Sequence, residues 1–212
     1  TPKKEPEDYP LLSERSRHHY ARAMKQFTRW LEHEGRLDNP LRRWKLKKVV
    51  EERCPRDRLQ PEELALLVRT AYASTRVIEG YSGQDRAWLY LLASMTGLRR
   101  GELAALERAS FDFTARSVAV AAAYTKAKVM AVLPLTRAMI PDLQRWLAGG
   151  QGPLFPGLRH KRTRKMIELD LREAGVPYKT DVGSRCFHAL RNTYVSQLFD
   201  AGPSFWIRRV GN

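Results

Sequence analysis

Seven consecutive apolar residues, Ala87-Trp88-Leu89-Tyr90-Leu91-Leu92-Ala93, leave no polar face for water. A helix through them must be enclosed by protein on every side, so it marks the centre of a core that the rest of the chain has to surround. The stretch that follows is equally constraining: Met95-Thr96-Gly97-Leu98-Arg99-Arg100-Gly101-Glu102-Leu103. Two glycines flank a pair of arginines, and an amphipathic segment, Glu102 to Leu106, resumes at once. A buried helix that stops at glycine and delivers arginines beside a new helix start is suited to hold an anion. Backbone N–H groups and guanidinium forks both favour phosphate there. The competing reading is a Schellman-type helix stop with solvated arginines, and on these residues alone it is the commoner case.

Charge narrows the partner. Lys and Arg number 38 against 23 Asp and Glu, a net charge of +15 on 212 residues. An excess of that size points to a polyanion, most often nucleic acid, with a membrane surface as the competitor. No apolar run approaches the roughly 20 residues that span a bilayer, and the charged, Pro-rich start from Thr1 to Pro10 is not a signal peptide. Cys54 and Cys186 suit a reducing cytoplasm and give no zinc spacing. The densest basic patch is Arg159-His160-Lys161-Arg162-Thr163-Arg164-Lys165, which fits a phosphate-backbone contact and a solvated helix start equally well.

In chain order, residues 1–12 read as a disordered leader. Ser13 caps a helix with Tyr20, Ala23, Met24, Phe27, Trp30 and Leu31 on one face, and Gly35 stops it. Its opposite face carries Arg15, Arg22, Lys25 and Arg29. Residues 13–46 are too few for a core of their own and read as part of a helical domain; the charged residues 47–58 read as a linker. Gln60-Pro61-Glu62-Glu63 then starts a helix with Leu64, Leu67, Val68 and Ala71 as its buried stripe. After the Gly-Arg stretch come β signals: Phe111 to Phe113, Val118 to Val120, and Val129 to Leu135. They predict a small antiparallel sheet with Lys126 near a hairpin tip and Tyr124 as a strand residue. Amphipathic helices are predicted from Pro141 to Leu147, over 161–174, and from His188 onward, with a last one beginning near Phe205. The fold class is mainly α with a small antiparallel sheet (α+β).

His188 and Arg191, three apart at a helix start, project from one face. As a pair they have almost no specificity; the ordered set has more. Thr-Gly-Leu-Arg…Glu-Leu ends a buried helix, a sheet with a hairpin lysine follows, and His188-Ala189-Leu190-Arg191 opens a helix. That order and spacing resemble the tyrosine recombinase (phage integrase) family. The resemblance runs from about Leu12 to the last residue. Leu12 to Ser16, Phe27 to Leu31 and Asn39-Pro40-Leu41 look like the second half of the family's helical core-binding domain. Arg58 to Leu64 looks like the start of its catalytic domain, here 59–212. The resemblance implies that Arg99 and Arg191 are the two catalytic arginines, Lys126 the hairpin lysine, His188 the histidine, and Glu102 the acid that brace Arg99. Duplex DNA is the implied partner, contacted by Arg22, Arg29, Arg100, Lys128, Arg159, Lys161, Arg162 and Arg164, in a nucleoid-associated, cytoplasmic setting.

These residue types suit that chemistry. A phosphorane on the way to transesterification gathers negative charge on its non-bridging oxygens, and two fixed guanidinium forks stabilise it without metal. A lysine ammonium on a hairpin can protonate a departing 5′-hydroxyl. A phosphotyrosyl intermediate would conserve the bond energy, so no cofactor, metal or ATP is expected. The family's nucleophilic tyrosine lies about thirty residues beyond the second arginine, whereas this sequence ends at Val210-Gly211-Asn212. The family's second His/Trp position falls on Asn212 in a gapped alignment and just past the end in an ungapped one. Tyr194, on the apolar stripe with Leu190 and Leu198, reads as a core residue. The expectation is therefore a chain that binds DNA without cleaving it, monomeric as it stands, whose parent works as a homo-oligomer. The alternatives are a non-catalytic DNA-binding remnant of the same fold and, more remotely, an unrelated helix-turn-helix regulator.

Overall fold

The structure, a computed structural model, describes residues 12–46, 55–149 and 152–201. The chain divides into two compact units, Thr1–Arg53 and Cys54–Asn212. The leader up to residue 11, most of the linker and the last helix expected from the sequence lie outside the described residues.

Among the described residues of the first unit, helix α1 (Glu14–His33) begins where the Ser13 hydroxyl accepts the Ser16 N–H at 3.2 Å, a cap worth about 1 kcal/mol. Gly35 ends it with φ of 64°. The turn beyond is organised by Asn39, whose Oδ1 accepts the Leu41 N–H at 3.0 Å while its Nδ2 donates to Glu32 at 3.3 Å. The apolar stripe forms on the helix as predicted, but Tyr20, Met24, Phe27 and Trp30 stay about half exposed.

The second unit carries α2 (Pro61–Ala73), α3 (Gly83–Thr96), the single turn α4 (Arg100–Leu103), strands β1 (Phe111–Asp112), β2 (Ser117–Val120) and β3 (Ala131–Pro134), and then α5 (Ile140–Leu147), α6 (Thr163–Glu173) and α7 (Ala189–Ala201). The buried helix is α3. Ser82 and Asp85 cap it reciprocally, with bonds of 3.2 and 3.1 Å. Leu89, Tyr90 and Leu92 have no exposed surface. Leu64, Leu67 and Ala71 of α2, Leu143 of α5, Met166, Ile167 and Leu171 of α6, and Leu190 of α7 join them in one hydrophobic core. A run of stacked rings, Trp88 on Trp146 at 5.5 Å and Trp146 on Phe155 at 5.8 Å, ties α3 to α5.

One charged pair sits inside this core. Arg86 and Asp170 are wholly buried and bonded at 2.8 Å (Nε to Oδ2) and 3.1 Å (Nη2 to Oδ1). Arg86 Nη1 also donates to the carbonyls of Arg76 and Tyr81, and the Tyr90 hydroxyl donates to Asp170 at 2.7 Å. The pair survives burial because its hydrogen-bonding groups are answered locally. Burial first, then the Asp170 charge, holds the Tyr90 hydroxyl well above its ordinary pKa of 10.

The sheet is antiparallel in the order β1-β2-β3, with Phe111 opposite Val118 and Val118 opposite Leu133. The third strand is shorter than the predicted run from Val129. Thr125 explains the difference: its hydroxyl donates to the Val129 carbonyl at 2.7 Å and accepts the Val129 N–H at 3.2 Å, which withdraws Val129 from the ladder. Tyr124 is likewise a turn residue rather than a strand residue, its N–H bonded to the Ala121 carbonyl at 3.0 Å. Residues 55–58, within the stretch read as linker, run beside 178–185 in the second unit: Ser184 N–H reaches the Pro55 carbonyl at 2.8 Å, and Asp57 N–H the Ser184 carbonyl at 3.2 Å. The Leu59 N–H then bonds the buried Thr193 hydroxyl at 3.0 Å, fixing this segment to α7.

Candidate functional site

The site is built around the left-handed turn that ends α3. Gly97 has φ of 64°, and its N–H closes the helix on the Ala93 carbonyl at 3.0 Å. A Cβ at this position would lie 2.3 Å from Cδ1 of Tyr194, so the α7 ring can pack on the turn only because the residue is glycine. Two residues on, Arg99 precedes α4. Glu102 reaches back to it twice: Oε2 accepts the Arg99 N–H at 2.7 Å and Oε1 accepts Nη1 at 3.0 Å. The Glu102 side chain is 7% exposed and that of Arg99 is 44% exposed. One edge of the guanidinium is therefore braced while much of the rest faces outward. From α7, Arg191 Nη1 donates to the Gly97 carbonyl. The Gly97–Arg99 turn thus anchors both arginines, although 92 positions separate them in the chain.

Arg99, Glu102, Lys126, Arg191, Thr125 and Tyr194 line one cleft of about 380 Å³. Lys126 comes from the loop between β2 and β3, which the Thr125 bonds hold closed. Among the charged residues that line the cleft, Glu102 is the one acid. His188, exposed and immediately before α7, lies in the positive field of three arginines. Its pKa is lowered from 6.5, first by desolvation and then by Arg56, Arg191 and Arg99. The neutral imidazole that this favours has both a donor and an acceptor nitrogen. Tyr194 has 7% of its surface exposed and forms part of the cleft wall.

The dense basic patch falls elsewhere in the second unit. Arg100, Lys161, Arg162 and Arg164, with Lys165 and Arg172, line a larger hollow of about 890 Å³. Their charges are not equally available. Arg162 pairs with Glu79 at 3.1 Å and its N–H bonds the same carboxylate at 3.2 Å. That backbone bond is the main reason the Glu79 pKa falls below its usual value. Arg164 pairs with Glu168 at 3.4 Å and lies over the Tyr178 ring. Lys161 sits over Tyr81. Arg159 lies over Tyr124 and donates to the Gly101 carbonyl at 3.1 Å, linking the patch to α4. Lys128 is exposed in the same loop as Lys126, in a left-handed conformation with φ of 57°, and is not among the cleft-lining residues. Arg22 and Arg29, in the first unit, share a hollow of about 260 Å³ with Lys25. Among the described residues, no cluster of His, Cys, Asp and Glu could hold a metal ion, and no helix is long and apolar enough to cross a membrane.

Sequence reasoning passed over Thr125, which shapes the lysine loop but looks like any polar turn residue. It also passed over the positive field of Arg56 at His188, because Arg56 lies in a stretch whose composition reads as linker.

Residues 57–206 match the family model described as "Phage integrase family". The integrase of transposon Tn1549, solved in complex with transposon right end DNA, has the same fold at 16% identity and a TM-score of 0.65, over 95% of this chain and 72% of that one. A lambda integrase dimer bound to a core site matches at 17% identity and a TM-score of 0.60, over 90% and 69%. The integrase from mycobacterium phage Brujita is 26% identical over 92% of this chain and 62% of that one, with a TM-score of 0.46. The chain thus spans 62% to 72% of the length of these integrases. No functionally curated protein matches it.

Proposed function

Since the chain belongs to the phage integrase family, we propose that it is the DNA-engaging part of a site-specific recombinase, holding a phosphodiester in the cleft between α3, α7 and the Lys126 loop. The observation that carries this reading is the double tether of the arginines to one turn. Glu102 orients Arg99 and the Gly97 carbonyl orients Arg191, so two guanidinium forks are fixed before any substrate arrives. Preorganised donors of this kind stabilise charge that develops on non-bridging oxygens and need no reorganisation during the reaction. Lys126 stands on the same cleft as the proton donor to a leaving 5′-oxygen. Neutral His188 hydrogen-bonds the phosphate or assists the nucleophile. In the parent enzyme a tyrosine attacks phosphorus, the P–O5′ bond breaks, and the 3′-phosphotyrosine retains the energy for rejoining. Arg100, Arg159, Lys161, Arg162, Arg164 and Lys128 extend the positive surface to flanking backbone. Arg22 and Arg29 of α1 serve as a second DNA contact from a helical core-binding segment over 13–46. Recombination by such an enzyme takes place on DNA at the nucleoid and engages further protomers.

Binding of a duplex by the 212-residue chain tests the cleft. Arg99→Ala and Arg191→Ala should each weaken binding and lower its salt slope by about 0.9, one phosphate contact. Unchanged slopes in both would refute a phosphate site there. Chemistry is tested on the product of the whole reading frame with a nicked suicide duplex. A covalent protein–DNA adduct is expected, and its absence, with the arginine effects intact, would leave a non-catalytic DNA-binding protein of the same fold.

A further inference from the structure

We propose that Arg56, which like His188 is not among the cleft-lining residues, is a further phosphate-binding residue beside the cleft, brought toward the start of α7 by the segment that precedes the family-matched region. The inference rests on the phosphate-cleft reading above. Its first support is the way the backbone is fixed. Pro55 and Asp57 bond Ser184 from either side, and the Arg56 carbonyl accepts Asn192 Nδ2 at 3.4 Å. Asn192 is the neighbour of Arg191 in the first turn of α7, so the main chain of Arg56 is seated on the helix start that carries the site. The packing is close: a Cβ on Gly183 would stand 2.2 Å from the Pro55 carbonyl oxygen.

The neighbours of Arg56 are engaged: Asp57 accepts from Thr180 at 2.9 Å and Arg185 at 3.2 Å, and Arg58 pairs with Asp200 at 2.6 Å. Arg56 is exposed and has no carboxylate partner among the described residues. Its field on the His188 imidazole is the strongest of the three arginines, ahead of Arg191 and Arg99. The positive fields of Arg56, Arg191 and Arg99 add together at the His188 imidazole, and an anion beside it would offset them. A phosphodiester, with two charged non-bridging oxygens to share, is the anion that the cleft already suits.

The test uses the 212-residue chain, a 30-base-pair duplex of arbitrary sequence, and fluorescence anisotropy between 50 and 200 mM NaCl. Arg56→Gln should bind more weakly and lose about 3.5-fold less affinity across that salt range than the parent, the signature of one phosphate contact fewer. Arg58→Gln, whose charge is already paired, should keep the parent slope. In the free protein, NMR titration of His188 should give a higher midpoint in Arg56→Gln than in the parent, because a positive neighbour has been removed. A parent-like slope for Arg56→Gln, alongside reduced slopes for Arg99→Ala and Arg191→Ala, would overturn the role of Arg56 and leave the cleft standing. Parent-like slopes in all three would refute the cleft itself. An unmoved His188 midpoint would refute the placement of Arg56 beside it, whatever the binding.

Discussion

Replacing Gly97 with alanine should damage stability and site geometry together, and the structure sets the size of the effect. The residue sits at φ of 64°, a conformation that costs an L-residue about 1–2 kcal/mol. The added methyl would also lie 2.3 Å from Tyr194 Cδ1, inside any permitted contact. Relieving that overlap must push either the ring or the turn, at about 1–3 kcal/mol for overpacking. The sum, roughly 2–5 kcal/mol, is a large share of the stability of a domain this size. Amide hydrogen exchange of α3 reads the loss in the second unit directly. A double-mutant cycle separates the two causes: in a Tyr194→Ala background the clash is gone and only the backbone part remains, so Gly97→Ala should cost about 1–3 kcal/mol less there. Equal costs in the two backgrounds, or a loss below about 0.5 kcal/mol in the parent, would refute the packing of α7 on this turn. With it would go the account of how Arg191 is held.

Two further substitutions probe the frame. Arg86→Met leaves Asp170 buried without its cation and should destabilise the second unit by about 3–5 kcal/mol, while Arg86→Met with Asp170→Leu should recover much of that loss; urea unfolding of the single and double variants decides. Thr125→Val removes the hydroxyl that closes the lysine loop and should cost about 1–2 kcal/mol through the unmet Val129 groups. It should also raise amide exchange over 121–130, whereas Thr125→Ser should behave like the parent; a protected loop in the valine variant would show that the hydroxyl does not hold it.

Much of the fold was legible because its signals are local. Ser13 as a cap, Pro61 in a first helical turn, the apolar face of α2 and the fully apolar run of α3 each dictate their own structure. The wall formed by Gly97, Arg99 and Glu102 was legible for the same reason, since its bonds span three residues. What escaped is long-range or depends on one side chain. Arg86 lies in a helix that reads as apolar, and its partner Asp170 is 84 positions away. The true start of β3 depends on a single threonine hydroxyl. Residues 55–58 look like linker because their composition is charged and carries Pro55, yet their backbone bonds a loop more than 120 positions later.

The distribution of paired and unpaired charge connects these points to function. Arg86 and Arg185, both buried, are matched by carboxylates inside the fold: Asp170 for the first, Asp57 and Glu63 for the second. They act as structure. Around the cleft the pattern reverses. Arg99, Lys126 and Arg191 share it with one acid, Glu102, and both oxygens of that acid are turned to Arg99. On the proposed reading, this excess of positive charge, with Arg99 oriented by Glu102 and Arg191 by the Gly97 carbonyl, is what a phosphodiester would neutralise. On that reading Gly97 serves packing through its missing Cβ and binding through its carbonyl, which holds Arg191. A variant that keeps the fold but frees Arg191 from the Gly97 carbonyl should lose preorganisation, and with it affinity for phosphate, before it loses stability.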